Sequence, residues 1–99
     1  MKTFSNDEVS GHLSENLKSW TFEKGIIKRE FKFKNFVESF SFMTAVAMEA
    51  EKLNHHPDWC NSYNKVSVSL RTHSENGITK NDFDLAGIID GIYGKQGVS

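Results

Sequence analysis

Residues 51–73 read Glu-Lys-Leu-Asn-His-His-Pro-Asp-Trp-Cys-Asn-Ser-Tyr-Asn-Lys-Val-Ser-Val-Ser-Leu-Arg-Thr-His. The second half alternates, with Val66, Val68, Leu70 and Thr72 set against Lys65, Ser67, Ser69 and Arg71. That is the period of a strand with one face on a core, and it predicts a strand over 65–72 with His73 at its end. The first half sets His55 and His56 before Pro57, the only proline of the chain. Proline disfavours the α region for the residue before it, so His56 is expected to be extended. Successive side chains of an extended chain point to opposite faces, so His55 and His56 are expected to do different jobs. Three of the four histidines and one of the two tryptophans fall in this stretch. Function is sought here, and the remainder reads as its scaffold.

Working outward, a short strand is expected over 59–61 and a turn over 62–64. Upstream, Asn35-x-x-Glu38 is a capping box, followed by Phe36, Phe40, Met43, Ala47 and Ala50 at steps of three and four, which predicts a long helix over 36–53. Val37, Phe42, Val46 and Met48 widen its apolar stripe beyond the band of about 100° that a surface helix needs. The excess side is expected to meet a partner subunit, with a plain core helix as the alternative. Before it, residues 20–23 and 26–33 read as two strands about Lys24-Gly25. Ile27, Phe31 and Phe33 share one face with Arg29, and Trp20 is expected in the core. Ser5-x-x-Glu8 with Val9, Leu13 and Leu17 predicts a first helix over 6–17. His12 lies one position off its apolar stripe and reads as a solvated or half-buried helix residue. Downstream, Glu75-Asn76-Gly77 is a turn, and Thr79-x-x-Asp82 caps a last helix with apolar positions at Ile78, Leu85, Ala86, Ile89 and Ile92. Gly91, Gly94 and Gly97 are expected to end regular structure, leaving residues 94–99 as a flexible tail.

The order is α-β-β-α-β-β-α. Tight turns make the strand pairs antiparallel, so the economical fold is an α+β two-layer sandwich: a four-stranded antiparallel sheet with three helices on one face. No repeat, linker or low-complexity segment divides the chain, and residues 1–99 are expected to form one domain. Twelve basic residues stand against 13 acidic ones, which withholds the basic surplus that phosphate backbones attract and argues against direct nucleic-acid binding. The opening residues lack the apolar core of a signal peptide, and no run approaches the roughly 20 apolar residues of a membrane span. With a single cysteine, Cys60, this predicts a soluble cytoplasmic protein. Eight Phe, two Trp and two Tyr exceed what one small core hides and point to an oligomer.

Histidine exchanges protons near neutrality, so His55 or His56 with His73 could supply an acid and a base to one ligand. Asp82 either caps Thr79 or orients one of these histidines. Metal binding competes, but His55 and His56 point apart, no two histidines stand four apart on a helix, and Cys60 is alone. Cys60 itself reads as a buried, inert thiol. The residues alone therefore imply a small cofactor-free acid–base site, or a binding pocket, of unknown ligand.

The sequence resembles the pterin-4a-carbinolamine dehydratase family, which includes the dimerisation cofactor of homeodomain transcription factors. The resemblance runs through Glu51-x-x-x-His55-His56-Pro57-x-Trp59, Tyr63-Asn64-x-Val66, Leu70-x-Thr72-His73 and Gly77-x-Thr79-x-x-Asp82-x-x-Leu85-Ala86. More loosely it takes in Trp20, Phe31-x-Phe33-x-x-Phe36 and Phe40-x-Phe42-Met43. His-His-Pro followed at this distance by Thr-His is its specific part. The resemblance implies dehydration of 4a-hydroxytetrahydrobiopterin to quinonoid dihydropterin, in tetrahydrobiopterin recycling, with no metal or other cofactor. It implies His55 and His73 as acid and base, His56 in substrate positioning, Pro57 and Trp59 as wall, Thr72, Ser74 and Glu75 as contacts, and Asp82 orienting a histidine. A homodimer or homotetramer is implied too. The alternative is a non-catalytic protein-binding or coactivator module acting through the long helix. Association with homeodomain factors belongs to animal members and is not extended here. The hairpin at Gly25 is shorter than theirs, and residues 95–99 match nothing in the family.

Overall fold

The structure, a computed structural model, describes residues 2–95. The chain forms α1 (Asn6–Asn16), β1 (Thr21–Glu23), β2 (Ile26–Lys32), α2 (Phe36–Leu53), β3 (Asp58–Ser62), β4 (Lys65–Leu70), a 3-10 turn at His73–Glu75 and α3 (Lys80–Lys95). The strands pair antiparallel in the order β1-β2-β4-β3, the α+β sandwich expected. Two-residue hairpins follow the twist of their strands in the primed turn types, of which type I′ takes positive φ at both turn residues. Lys24 (φ 53°) and Gly25 (φ 80°) do so, and glycine there carries no Cβ penalty.

The inner face of β2 and β4 sets Ile27 opposite Leu70 and Phe31 opposite Val66, all four fully buried. Val9 and Leu13 of α1, Phe42 and Val46 of α2, and Leu85, Ala86 and Ile89 of α3 close over them in one cluster. Arg29 shares this face without an unpaired charge. Its Nη1 donates to Asp90 Oδ1 at 2.7 Å, and its guanidinium lies 4.5 Å from the Phe31 ring centroid. Asp90 Oδ1 also accepts from Trp20 Nε1 at 2.9 Å, which is how a core tryptophan satisfies its N–H. The outer face carries Lys28, Glu30, Ser67 and Ser69.

The capping box of α1 forms in full. Ser5 Oγ accepts from the Glu8 amide at 3.1 Å, and Glu8 Oε1 accepts from the Ser5 amide at 2.8 Å. At α2 the box is only half formed. Asn35 Oδ1 accepts from the Glu38 amide, but Glu38 Oε1 reaches past Asn35 to the Lys34 amide.

Four expectations need correction. The buried stripe of α2 is Ser39, Phe42, Val46 and Ala50, whereas Phe36, Val37, Phe40 and Met48 are exposed and so is Ala47. The stripe is rotated because a polar residue faces inward: Ser39 Oγ shares its one proton between the carbonyls of Phe36 and Tyr63, at 2.9 and 2.6 Å. Phe42 and Val46 are therefore core residues, not part of an outward surplus. Gly91 and Gly94 do not end α3, which continues to Lys95. Tyr93 anchors the final turn, with its ring edge-on to Phe31 and Phe33 and its hydroxyl donating to Lys32 O at 3.0 Å. Of the expected tail, Gly94 and Lys95 are thus helical, and 96–99 lie outside the described residues. Cys60 is exposed, because β3 turns Asp58, Cys60 and Ser62 outward and Trp59 and Asn61 inward. Finally, β4 stops at Leu70, since Thr72 pairs with Gly77 across the 3-10 turn instead of extending the ladder.

Candidate active site

His55 is delivered by the end of α2. Asn54 adopts the left-handed conformation (φ 52°, ψ 42°), and its amide reaches the Glu51 carbonyl, while the His55 amide reaches Ala50 O at 3.1 Å. Together these are the two bonds of a Schellman motif, and asparagine is the side chain after glycine that best tolerates its αL position. The chain then turns under α3, and His55 is buried.

Asp82, in the first turn of α3, is wholly buried. Its Oδ1 lies 2.6 Å from His55 Nε2. Its Oδ2 accepts from the Thr72 hydroxyl at 2.8 Å and from the Thr79 amide at 2.9 Å. Asp82 therefore caps Thr79 and holds a histidine at once. The Thr79 hydroxyl does not complete a reciprocal box, because it meets Thr72 Oγ1 at 2.7 Å. Every polar side-chain atom in this cluster has a partner or reaches solvent. Arg71 Nε is the one buried side-chain nitrogen or oxygen lacking a partner among the described residues. The His55 contact with Asp82 runs through Nε2, and the His55 side chain keeps 10% of its surface exposed.

The other two histidines are open to solvent, each with a carboxylate at Nε2. His56 meets Glu51 Oε1 at 2.9 Å and His73 meets Asp58 Oδ2 at 3.2 Å. His55 and His56 do face opposite surroundings. Two side-chain links tie the 55–58 segment to the end of β4: His55 through Asp82 to Thr72, and Asp58 to His73. His55 and His73 are thus held at the same end of the sheet. Pro57 and Trp59 are half-buried beside them, and Ser74 and Glu75 are exposed on the 3-10 turn. Gly77 closes this turn beside the N-terminal segment, where a Cβ would stand 3.1 Å from Thr3 Cγ2. That contact is tight enough to favour glycine.

Sequence reasoning missed Thr79 as a member of the cluster, as well as Glu51 and Asp58 as histidine partners. Thr79 left a signal in the Thr79-x-x-Asp82 spacing and Glu51 in the Glu51-x-x-x-His55-His56 motif, whereas Asp58 left none. Among the described residues no three His, Cys, Asp or Glu side chains gather as metal ligands would. No described helix is long and apolar enough to cross a membrane.

An α+β sandwich carrying histidine–carboxylate pairs at one end of its sheet is thus the class of protein at hand. The family model described as pterin 4 alpha carbinolamine dehydratase matches residues 2–92, and the chain belongs to that family. It is 56% identical over 72 residues to the "Putative pterin-4-alpha-carbinolamine dehydratase" of Prochlorococcus marinus (strain NATL2A), covering 73% of this chain and 76% of that one. The protein of the same description from Solibacter usitatus (strain Ellin6076) is 43% identical over 88 residues, 89% of this chain and 92% of its own. Among solved structures, the transcriptional coactivator/pterin dehydratase from Brucella melitensis superposes with a TM-score of 0.88 at 40% identity, over 93% of this chain and 99% of that one. A pterin dehydratase-like RuBisCO assembly factor of the alpha-carboxysome shares the fold at 17% identity and a TM-score of 0.63, over 76% of this chain and 87% of its own.

Proposed function

We propose that the protein is a dehydratase that converts 4a-hydroxytetrahydrobiopterin to quinonoid dihydropterin and water in tetrahydrobiopterin recycling. In this reaction the C4a–O bond breaks and the N5 lone pair forms the new N5=C4a bond. Hydroxide is a poor leaving group, so an acid must protonate the departing oxygen, and a base must take the proton from N5. The carrying observation is the buried His55–Asp82 pair, set at the same end of the sheet as the His73–Asp58 pair. In this reading His55 and His73 act as acid and base, and His56 positions the pterin. Pro57 and Trp59 form the wall, Ser74 and Glu75 supply contacts, and Thr72, whose backbone and hydroxyl are bonded within the protein, supports them from behind. Nothing in the chemistry calls for a metal or redox cofactor. A cytoplasmic location and a homodimer or homotetramer go with this reading.

A second reading rests on a separate observation. Phe36, Val37, Phe40 and Met48 leave an apolar strip on the outer side of α2, larger than scattered surface residues, and the Brucella protein is described as a coactivator as well as a dehydratase. In that reading the protein is a non-catalytic binding module. The two separate cleanly when 4a-hydroxytetrahydropterin is generated by a hydroxylase and its decay is followed with and without this protein. Acceleration that survives Phe36→Ser/Phe40→Ser supports the enzyme. No acceleration by folded wild-type protein removes the dehydratase reading and leaves the module.

A further inference from the structure

Thr72 Oγ1 has one proton, and its hydrogen bond is donated to Asp82 Oδ2. The 2.7 Å contact between the two threonine hydroxyls is then donated by Thr79. With the Thr79 amide as well, two donors converge on Oδ2, which leaves Oδ1 to His55 Nε2; with Asp82 as a carboxylate, which only accepts, the proton between them is on Nε2. Burying a carboxylate and two hydroxyls adds little to stability beyond what well-packed apolar groups would give, so stability alone does not account for the cluster. Thr72 has a second task. Its carbonyl accepts from the Glu75 and Gly77 amides at 3.2 and 3.3 Å, and its amide donates to Gly77 O at 2.8 Å, which closes the turn that carries His73.

Taking the ligand from the dehydratase reading, we propose that Thr72 and Thr79 are positioning residues which, through Asp82, hold the His55 proton on Nε2 and leave Nδ1 as the nitrogen presented to the pterin. Thr72 also sets His55 and His73 in register, because the residue that fixes the one imidazole closes the turn bearing the other. Its hydroxyl is spent inside the protein and makes no substrate contact.

The test is a nitrogen NMR spectrum of protein labelled with 15N-histidine, recorded without pterin at a pH where the rings are neutral, alongside dehydration kinetics. The wild type should show His55 as a single tautomer, Nε2 protonated and Nδ1 bare. Thr72→Val should give a mixture of tautomers and lower kcat by about 10- to 100-fold, the size seen when the outer partner of a functional histidine is removed. KM should change less, and Thr72→Ser should restore both readouts. A wild-type His55 carrying its proton on Nδ1 would overturn the proposal, as would Thr72→Val with tautomer and kcat unchanged. Should Thr72→Val not fold, the wild-type spectrum decides alone. The spectrum needs no substrate, so wild-type protein that shows the expected tautomer yet fails to dehydrate would count against the dehydratase reading and not against the tautomer.

Discussion

His55 and His73 each meet an aspartate through Nε2, and the two pairs sit in opposite solvents. The His55–Asp82 contact is 2.6 Å long with side chains 10% and 0% exposed, and that of His73–Asp58 is 3.2 Å with 63% and 65%. In the buried pair both partners have lost water, and the aspartate is further committed to Thr72 and Thr79, so removing either partner strands a polar group in the core. In the exposed pair water replaces whatever is removed. One histidine is therefore fixed by the fold, and the other is held loosely enough to follow a ligand. An acid–base site can use both, one imidazole already oriented and one adjustable.

The sharpest way to break this comparison is kinetic. His73→Ala should lower the dehydration rate by about 10²- to 10⁴-fold, as expected for loss of a general acid or base, while its urea midpoint stays close to wild type. His55→Ala should lose both rate and stability. Equal midpoints for the two variants would erase the distinction drawn between the pairs.

Equilibrium unfolding of the carboxylate variants sharpens it further. Asp82→Ala should cost about 3–5 kcal/mol, the range for breaking a buried pair. Asp58→Ala should cost about 0–1 kcal/mol, because an exposed pair is screened and its side chains are entropically free. At the Schellman turn that delivers His55, Asn54→Ala should cost about 1–2 kcal/mol for a non-glycine, non-asparagine residue in the αL conformation, whereas Asn54→Gly should stay near wild type.

The smallest effect belongs to the exposed N-cap of α1. The Ser5 amide, donating to Glu8, holds the Glu8 carboxyl below its ordinary value of 4.5. A carboxyl lowered in the folded state stabilises above its unfolded value, and that contribution is lost as pH falls through the folded one. The stability gap between wild type and Glu8→Gln should therefore be open at neutral pH and close below the carboxylate range. A gap that persists unchanged in acid would show that the charge of Glu8 does not matter to the cap.

Much of this was legible because it rests on local rules. The alternation of Val66, Val68 and Leu70 gave a half-buried strand, Pro57 separated His55 from His56, and the Ser5-x-x-Glu8 spacing formed its capping box. What the sequence hid depends on tertiary partners. Ser39 faces inward only because the Tyr63 carbonyl accepts its bond, so the phase of α2 looked rotated. Gly91 and Gly94 look like terminators until Tyr93 is seen packed on Phe31 and Phe33. Cys60 looked buried beside Trp59, but one step along a strand reverses the face. Thr79-x-x-Asp82 revealed the cap, whereas the bond from Thr79 to Thr72 joins segments that only the sheet and α3 bring together.

The central claim is that His55 and His73 together carry proton transfer at one pterin. It is tested most directly by the decay rate of enzymatically generated 4a-hydroxytetrahydropterin with wild-type protein and with His55→Ala/His73→Ala, its fold checked by circular dichroism. The account predicts clear acceleration by wild type and a fall of at least about 10²-fold in the folded double variant. A folded double variant that accelerates the decay as well as wild type would contradict it.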